Sequence, residues 1–211
     1  MKKQIFITVI SFFVLFFACN VNVNKGIDIK DGQIVDHSLN TVNGFIKIGN
    51  NCAIKGDVRS VNGGVGIGSH TKTGSVHTVN GAITIGDSSF VEGNLNVING
   101  KIDCGLGTKI HGSVKTINGN IELTGVRVRN DVATANGDIT LKQATMVEGD
   151  IVIKKSKGNL DKVRQCTILI TDNSVVTGNI IVKDEKVQVT VHLQNGGKVL
   201  GKVENAEVVS D

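Results

Sequence analysis

The chain has 211 residues, with 23 Lys and Arg against 19 Asp and Glu for a formal net charge of +4, and it contains no Pro, Trp or Tyr. That length holds one ordinary domain. The missing Trp and Tyr argue against a surface that stacks on sugar rings or single-stranded bases, so a nucleic-acid partner is not expected.

The first segment is Met1-Lys2-Lys3, an apolar run from Ile5 to Phe17 broken only by Thr8 and Ser11, and then Ala18-Cys19-Asn20. A basic start, a short apolar stretch and a small residue predict an export signal too short to span a bilayer. One reading is an ordinary secretory signal with a chance cysteine. The other rests on a resemblance: the segment is similar to a bacterial lipoprotein signal, although Phe16 stands where that family prefers Leu and Leu15 sits one place early. The resemblance implies that residues 1–18 are removed and that Cys19 is the lipidated first residue, carrying acyl chains such as palmitate. It also implies that Asn20, unlike Asp, permits sorting to an outer membrane. Localisation to the cell envelope and a membrane partner through this lipid follow from it, with residues 19–23 as tether.

Removal of the signal takes away five of the seven Phe, leaving Phe45 and Phe90, and lowers the net charge to +2. Phe90 is expected in the core. With Cys19 assigned to lipid, Cys52, Cys104 and Cys166 are an odd number without metal-ligand spacing. Cys104 occupies an aliphatic position and reads as a small buried hydrophobe.

From residue 24 a repeat governs the chain. Asn-Gly recurs at Asn43, Asn62, Asn80, Asn99, Asn118 and Asn136, at intervals of 19, 18, 19, 19 and 18 residues, and Asn24 extends the series backwards with Lys25 in place of glycine. After each Asn comes an alternating pair, from Ile27/Ile29 through Ile46/Ile48, Val65/Ile67, Ile83/Ile85, Ile102/Cys104 and Ile121/Leu123 to Ile139/Leu141. Period-two alternation predicts strands with one buried face. A second marker keeps the same period, with Gly56, Gly74, Gly93, Gly112 and Gly149 flanked two residues away by aliphatics. Lys72 is the exception among those inward positions, in a coil one residue short.

Asn-Gly is a strong hairpin signal, so an antiparallel meander competes with a stacked coil. The meander gives no reason for Asn to recur on Asn and Ile on Ile. Successive coils stacked in register make identical side chains neighbours and permit a ladder of asparagine amides. The expected fold is therefore all-β, a single-stranded parallel β-helix of about nine coils with 18 to 19 residues and three short strands per coil. Markers about 12 and 6 or 7 residues apart fail the hexapeptide template of left-handed helices, and the general crossover preference then favours the right-handed form.

Residues 24–153 form the regular coils, the polar and basic segment 154–165 reads as an inserted loop, residues 166–203 resume the repeat, and 204–211 read as a polar tail. A further loop is expected at Lys183-Asp184-Glu185-Lys186. Nine coils at about 4.8 Å each would make a rod roughly 43 Å long.

Candidate chemistry is sparse. His37, His70, His77, His111 and His192 fall at different phases of the repeat, His77 at an outward, solvated position beside Arg59, Asn96 and Lys115. Asp57, Asp131 and Asp150 share a phase with Ser75, Asn94 and Ser113, which departs from a calcium-binding β-roll. No catalytic set, metal or cofactor is expected. The units Val91-Glu92-Gly93-Asn94-Leu95, Val147-Glu148-Gly149-Asp150-Ile151 and Val176-Thr177-Gly178-Asn179-Ile180 resemble the coil motif of bactofilins, and the Val-Asn-Gly-x-Ile units are similar to β-strand-repeat proteins labelled putative adhesins. Both resemblances imply a β-helix without catalytic residues. The expected function is a lipid-anchored, non-enzymatic scaffold or adhesin-like rod with an envelope protein or glycan as partner. Self-association at the coil ends, as the bactofilin resemblance implies, is the alternative, and a polysaccharide-active β-helix enzyme is a disfavoured third.

Overall fold

The computed structural model describes residues 21–156 and 163–211. Among them the chain contains no helix and winds through three parallel sheets of ten, ten and nine strands, here sheets A, B and C. One coil shows the plan: Val76–Asn80 lies in sheet A, Ile83–Ile85 in sheet B and Phe90–Val91 in sheet C. Each strand pairs with its counterparts in the coils before and after, as Ile83 does with Val65 and Ile102. The fold is a parallel β-solenoid.

The side-chain alternation explains why this winding is stable. Val58 and Ser60 point inward while Arg59 and Val61 point out, and in the next strands Ile83 and Ile85 are buried around an exposed Thr84. In-register pairing stacks Ile46, Val65, Ile83, Ile102, Ile121, Ile139 and Ile168 into one column, each at most 1% exposed. β-Branched side chains suit a pleated, closely packed wall of this kind. A hairpin of type I′ would require positive φ at both turn residues. Among the asparagines of the ladder only Asn24 has one, so the Asn-Gly units turn a corner of the coil rather than reverse the chain.

Four details differ from the sequence reading. Lys72 is exposed, because the missing residue of its coil lies after Thr73: Thr73 pairs with Val91 and points inward, Lys72 pairs with Phe90 and points out. Phe90 is accordingly half-buried on the outer face of sheet C and not in the core. The strand Arg164–Ile170 begins inside the span assigned to the 154–165 loop, pairing along its length with Val187–Leu193. Residues 204–211 are not simply a polar tail, since Glu207–Ser210 forms the tenth strand of sheet B against Val187–Leu193.

Thr73 carries a consequence for stability. Its Oγ1 is buried with no hydrogen-bond partner, in a column otherwise filled by Ile54, Val91 and Ile110. Replacing an unsatisfied buried hydroxyl by a methyl of the same shape removes a desolvation cost. Thr73→Val is expected to stabilise the protein by about 1 kcal/mol, seen as a higher denaturation midpoint at unchanged m-value.

Candidate functional site

The polar residues with a repeating position sit at the three corners of the coil, where strands give way to turns. At the corner between sheets A and B the asparagine side chains run along the rod axis. Each Nδ2 donates to the Oδ1 of the asparagine one coil earlier: Asn43 to Asn24 at 2.6 Å, Asn62 to Asn43 at 2.8 Å, Asn80 to Asn62 at 2.9 Å, Asn99 to Asn80 at 2.8 Å, Asn118 to Asn99 at 2.8 Å and Asn136 to Asn118 at 2.6 Å. The six bonds share one direction, so the amide dipoles add from Asn24 to Asn136. Behind them a buried Thr or Ser hydroxyl donates to a corner carbonyl of the coil before, as Thr41 does to Lys25, Ser60 to Gly44 and Thr78 to Gly63. One coil after Gly137, in register with it in sheet B, Cys166 has its Sγ 3.2 Å from the Gly137 carbonyl.

The other two corners carry ladders that periodic aliphatics alone do not reveal. Between sheets C and A the residue after the turn glycine accepts a backbone N–H from the next coil: Asp57 from Ser75, Ser75 from Asn94, Asn94 from Ser113, Asp131 from Asp150 and Asp150 from Asn179. What unites Asp, Ser and Asn there is a short side chain with an acceptor oxygen, which explains why the position alternates freely among them. Between sheets B and C, Thr71, Ser89 and Thr145 accept backbone N–H groups of adjacent coils and donate to carbonyls, while Cys52 reaches the Lys30 carbonyl with its Sγ at 3.1 Å. At that corner Asn51, His70, Ser88, Ala144 and Asn173 adopt left-handed backbone, with φ between 55° and 59°. His70 therefore sits at a conformational position of the turn. The recurring Asp, Ser and Asn residues in the sequence were the available signal for these ladders.

Cys19 lies outside the described residues, as do residues 1–18, Asn20 and residues 157–162 of the 154–165 segment. The three remaining cysteines are free and buried. Burial pushes the Cys104 thiol far up, with Asp103 adding to it, and raises Cys166 to about 11, so neither supplies a thiolate near neutral pH.

The histidines stay apart. His77 stacks between Arg59 and Asn96 on the outer face of sheet A, with Nδ1 3.2 Å from Asn96 Nδ2. It is half-buried rather than fully solvated, and burial, then the charge of Arg59, holds its pKa below the ordinary 6.5. The unfolded chain thus takes up the proton first as the pH falls from 6.5. His77's contribution to stability is complete above that pH and declines toward the folded-state pKa. A His77→Asn variant is expected to lose this part of the pH dependence in denaturation between neutral and mildly acid buffers.

His111 lies on the outer face of sheet C, edge-on to Phe90 with ring centroids 4.6 Å apart, while Lys72 Nζ sits 5.6 Å from that ring. Around them Lys72 pairs with Glu92 at 2.7 Å and Arg127 with Glu148 at 2.6 Å. These exposed pairs contribute little to stability. Where the later coils carry insertions, Arg164 donates to the Ala135 carbonyl at 2.9 Å and to Asp184 at 2.7 Å. Asp184 also accepts the Ser156 and Lys186 N–H groups, and the Ser156 bond leads in holding its carboxyl below the ordinary 3.8. Among the described residues no three His, Cys, Asp or Glu are grouped as a metal site.

The class defined by this architecture is the parallel β-solenoid with corner ladders. No family model matches the chain, and neither the curated proteins nor the solved structures include a significant match.

Proposed function

We propose that this protein is a lipid-anchored, non-enzymatic rod of the bacterial cell envelope that presents a rigid scaffold or adhesin-like surface. The observation that supports it most is the engagement of the recurring polar side chains in coil-to-coil bonds, six amide bonds at one corner alone, which stiffen the rod. Each such bond adds on the order of 0.5–1.5 kcal/mol when shielded and less when exposed. The anchor is Cys19, at the end of the apolar run. Wild-type protein expressed in a bacterium is expected to incorporate radiolabelled palmitate and sediment with membranes, and Cys19→Ser to do neither. Wild-type protein that takes up no label would reject the anchor.

Self-assembly is the second reading, and the terminal strands favour it. Among the described residues Glu207–Ser210 pairs on one side only, with Val208 46% and Val209 38% exposed, and Ile27–Ile29 is the corresponding edge at the other end of sheet B. Unpaired edges template further strands. Electron microscopy of the Cys19→Ser form distinguishes the two, since filaments indicate assembly and uniform short particles leave the scaffold.

A further inference from the structure

We infer that Asn136-Gly137 is a site of spontaneous deamidation, and that the ladder itself protects the equivalent Asn-Gly pairs in the coils before it. Asn-Gly is the dipeptide with the least steric hindrance to this reaction, because glycine leaves its backbone nitrogen uncovered. The chain has seven such pairs, Asn195-Gly196 and the six of the ladder, and those six would all be sites of ageing unless the fold restrained them.

The reaction needs two freedoms. The glycine nitrogen loses its proton to hydroxide and bonds to the Asn Cγ; the Cγ–Nδ2 bond then breaks, ammonia leaves carrying a proton from water, and a succinimide ring remains. Water adds to one of the two ring carbonyls and opens it to aspartate or isoaspartate, so the net change is asparagine plus water to a carboxylic acid plus ammonia. The nucleophilic N–H must therefore be free, and the side-chain amide must be able to turn toward it.

At Asn62, Asn80, Asn99 and Asn118 neither freedom exists. Each side-chain amide is bonded at both Nδ2 and Oδ1. Each following glycine N–H donates to the asparagine carbonyl of the next coil: Gly63 to Asn80 at 2.9 Å, Gly81 to Asn99 at 3.0 Å, Gly100 to Asn118 at 2.9 Å and Gly119 to Asn136 at 2.7 Å. At Asn43 the amide is held, but the Gly44 N–H has no acceptor among the described residues.

Asn136 is the last rung, and there the restraint is only partial: its Nδ2 still donates to Asn118 Oδ1 at 2.6 Å and to Ser156 Oγ at 3.4 Å. Its Oδ1 is buried without a partner, and the Gly137 N–H has no acceptor among the described residues. Gly137 has a φ of 151°, the same as Gly100 at 152° and Gly119 at 153°, so the difference at this pair lies in its hydrogen bonds and not in its backbone. A cavity of about 410 Å³ opens beside the pair, lined by Asn136, Gly137, Arg164, Gln165 and Cys166 among others. Arg164 lines this cavity, and its Nε is a buried donor without a partner. With its Nη1 on the Ala135 carbonyl, the guanidinium puts positive charge one residue from Asn136, which favours the negative charge that develops on Oδ1 as the nitrogen attacks. The product replaces the Nδ2 donor to Asn118 by a carboxylate and, as isoaspartate, lengthens the backbone at the corner where the regular coils meet the inserted ones.

The test is peptide mass spectrometry with isoaspartate-specific methylation on the full chain aged in mildly alkaline buffer. Asn136 is expected to convert at least about tenfold faster than Asn62, Asn80, Asn99 and Asn118, the factor set by one net hydrogen bond, with Asn43 between. In denaturant the six rates should converge. Conversion at Asn136 no faster than at Asn118 in the folded chain overturns the inference. Arg164→Gln is expected to slow position 136 alone, the unchanged protection of the other sites reporting an intact ladder; an unchanged or faster rate at 136 overturns the role of Arg164.

Discussion

Gly119→Ala is expected to destabilise the protein by about 3 kcal/mol or more, among the largest effects available to a single methyl group. A Cβ at this position would lie 2.1 Å from the Gly100 carbonyl oxygen, and the native φ is 153°. Neither partner can give way, because Gly100 is itself stacked on Gly81, where a Cβ would meet the carbonyl oxygen at 2.3 Å. The glycines of Asn-Gly thus let coils approach at the corner while the asparagines bond beside them. Gly32 provides the control: its φ is 74°, no atom lies within 4 Å of an added Cβ, and Asn51 takes the same corner in the next coil. Gly32→Asn is expected to change stability by less than about 0.5 kcal/mol. Equal losses for the two variants in urea denaturation would overturn the steric account.

Leu123→Ala should cost about 2–5 kcal/mol, by lost transfer energy and by the cavity left between coils. Leu123 is fully buried and stacks in register between Cys104 and Leu141. Cys104 already makes that column narrow on one side, so the neighbouring coil has little side chain with which to fill a void. Because each coil touches only the coils beside it, the loss should be felt locally. Hydrogen exchange is expected to rise in strands Ile102–Cys104 and Ile139–Lys142 before it rises in Ile46–Ile48. Uniform loss of protection along the rod would contradict this.

Much of the architecture was legible because a solenoid brings together residues one period apart. Asn62 and Asn80, or Ile83 and Ile102, are neighbours in space at the spacing that makes them conspicuous in the chain. The β-branched pairs named the inward face, and the phase identity of the asparagines separated stacked coils from a meander. The corner ladders at Asp57, Ser75 and Asn94, or at Thr71 and Ser89, were harder to see, since their shared property is an oxygen at hydrogen-bonding reach and not a residue type.

Where the period slips, the tertiary structure decided. The short coil moved Thr73 inward and Lys72 outward, because strand side chains alternate and a shift of one residue exchanges the faces. The pairing partner decided the fate of Glu207–Ser210, two valines between a Glu and a Ser, whose backbone groups complete the ladder offered by Val187–Leu193. The end of the asparagine column at Asn136 followed from the extended strand Arg164–Ile170, whose register with Ile139–Leu141 puts Gln165 where the next asparagine would stand and Cys166 where its glycine would be. By itself the sequence determined the coil, its register and its buried face, through contacts that repeat. The exposed chemistry at the irregular coils depends on contacts that occur once, and only the folded chain specifies those.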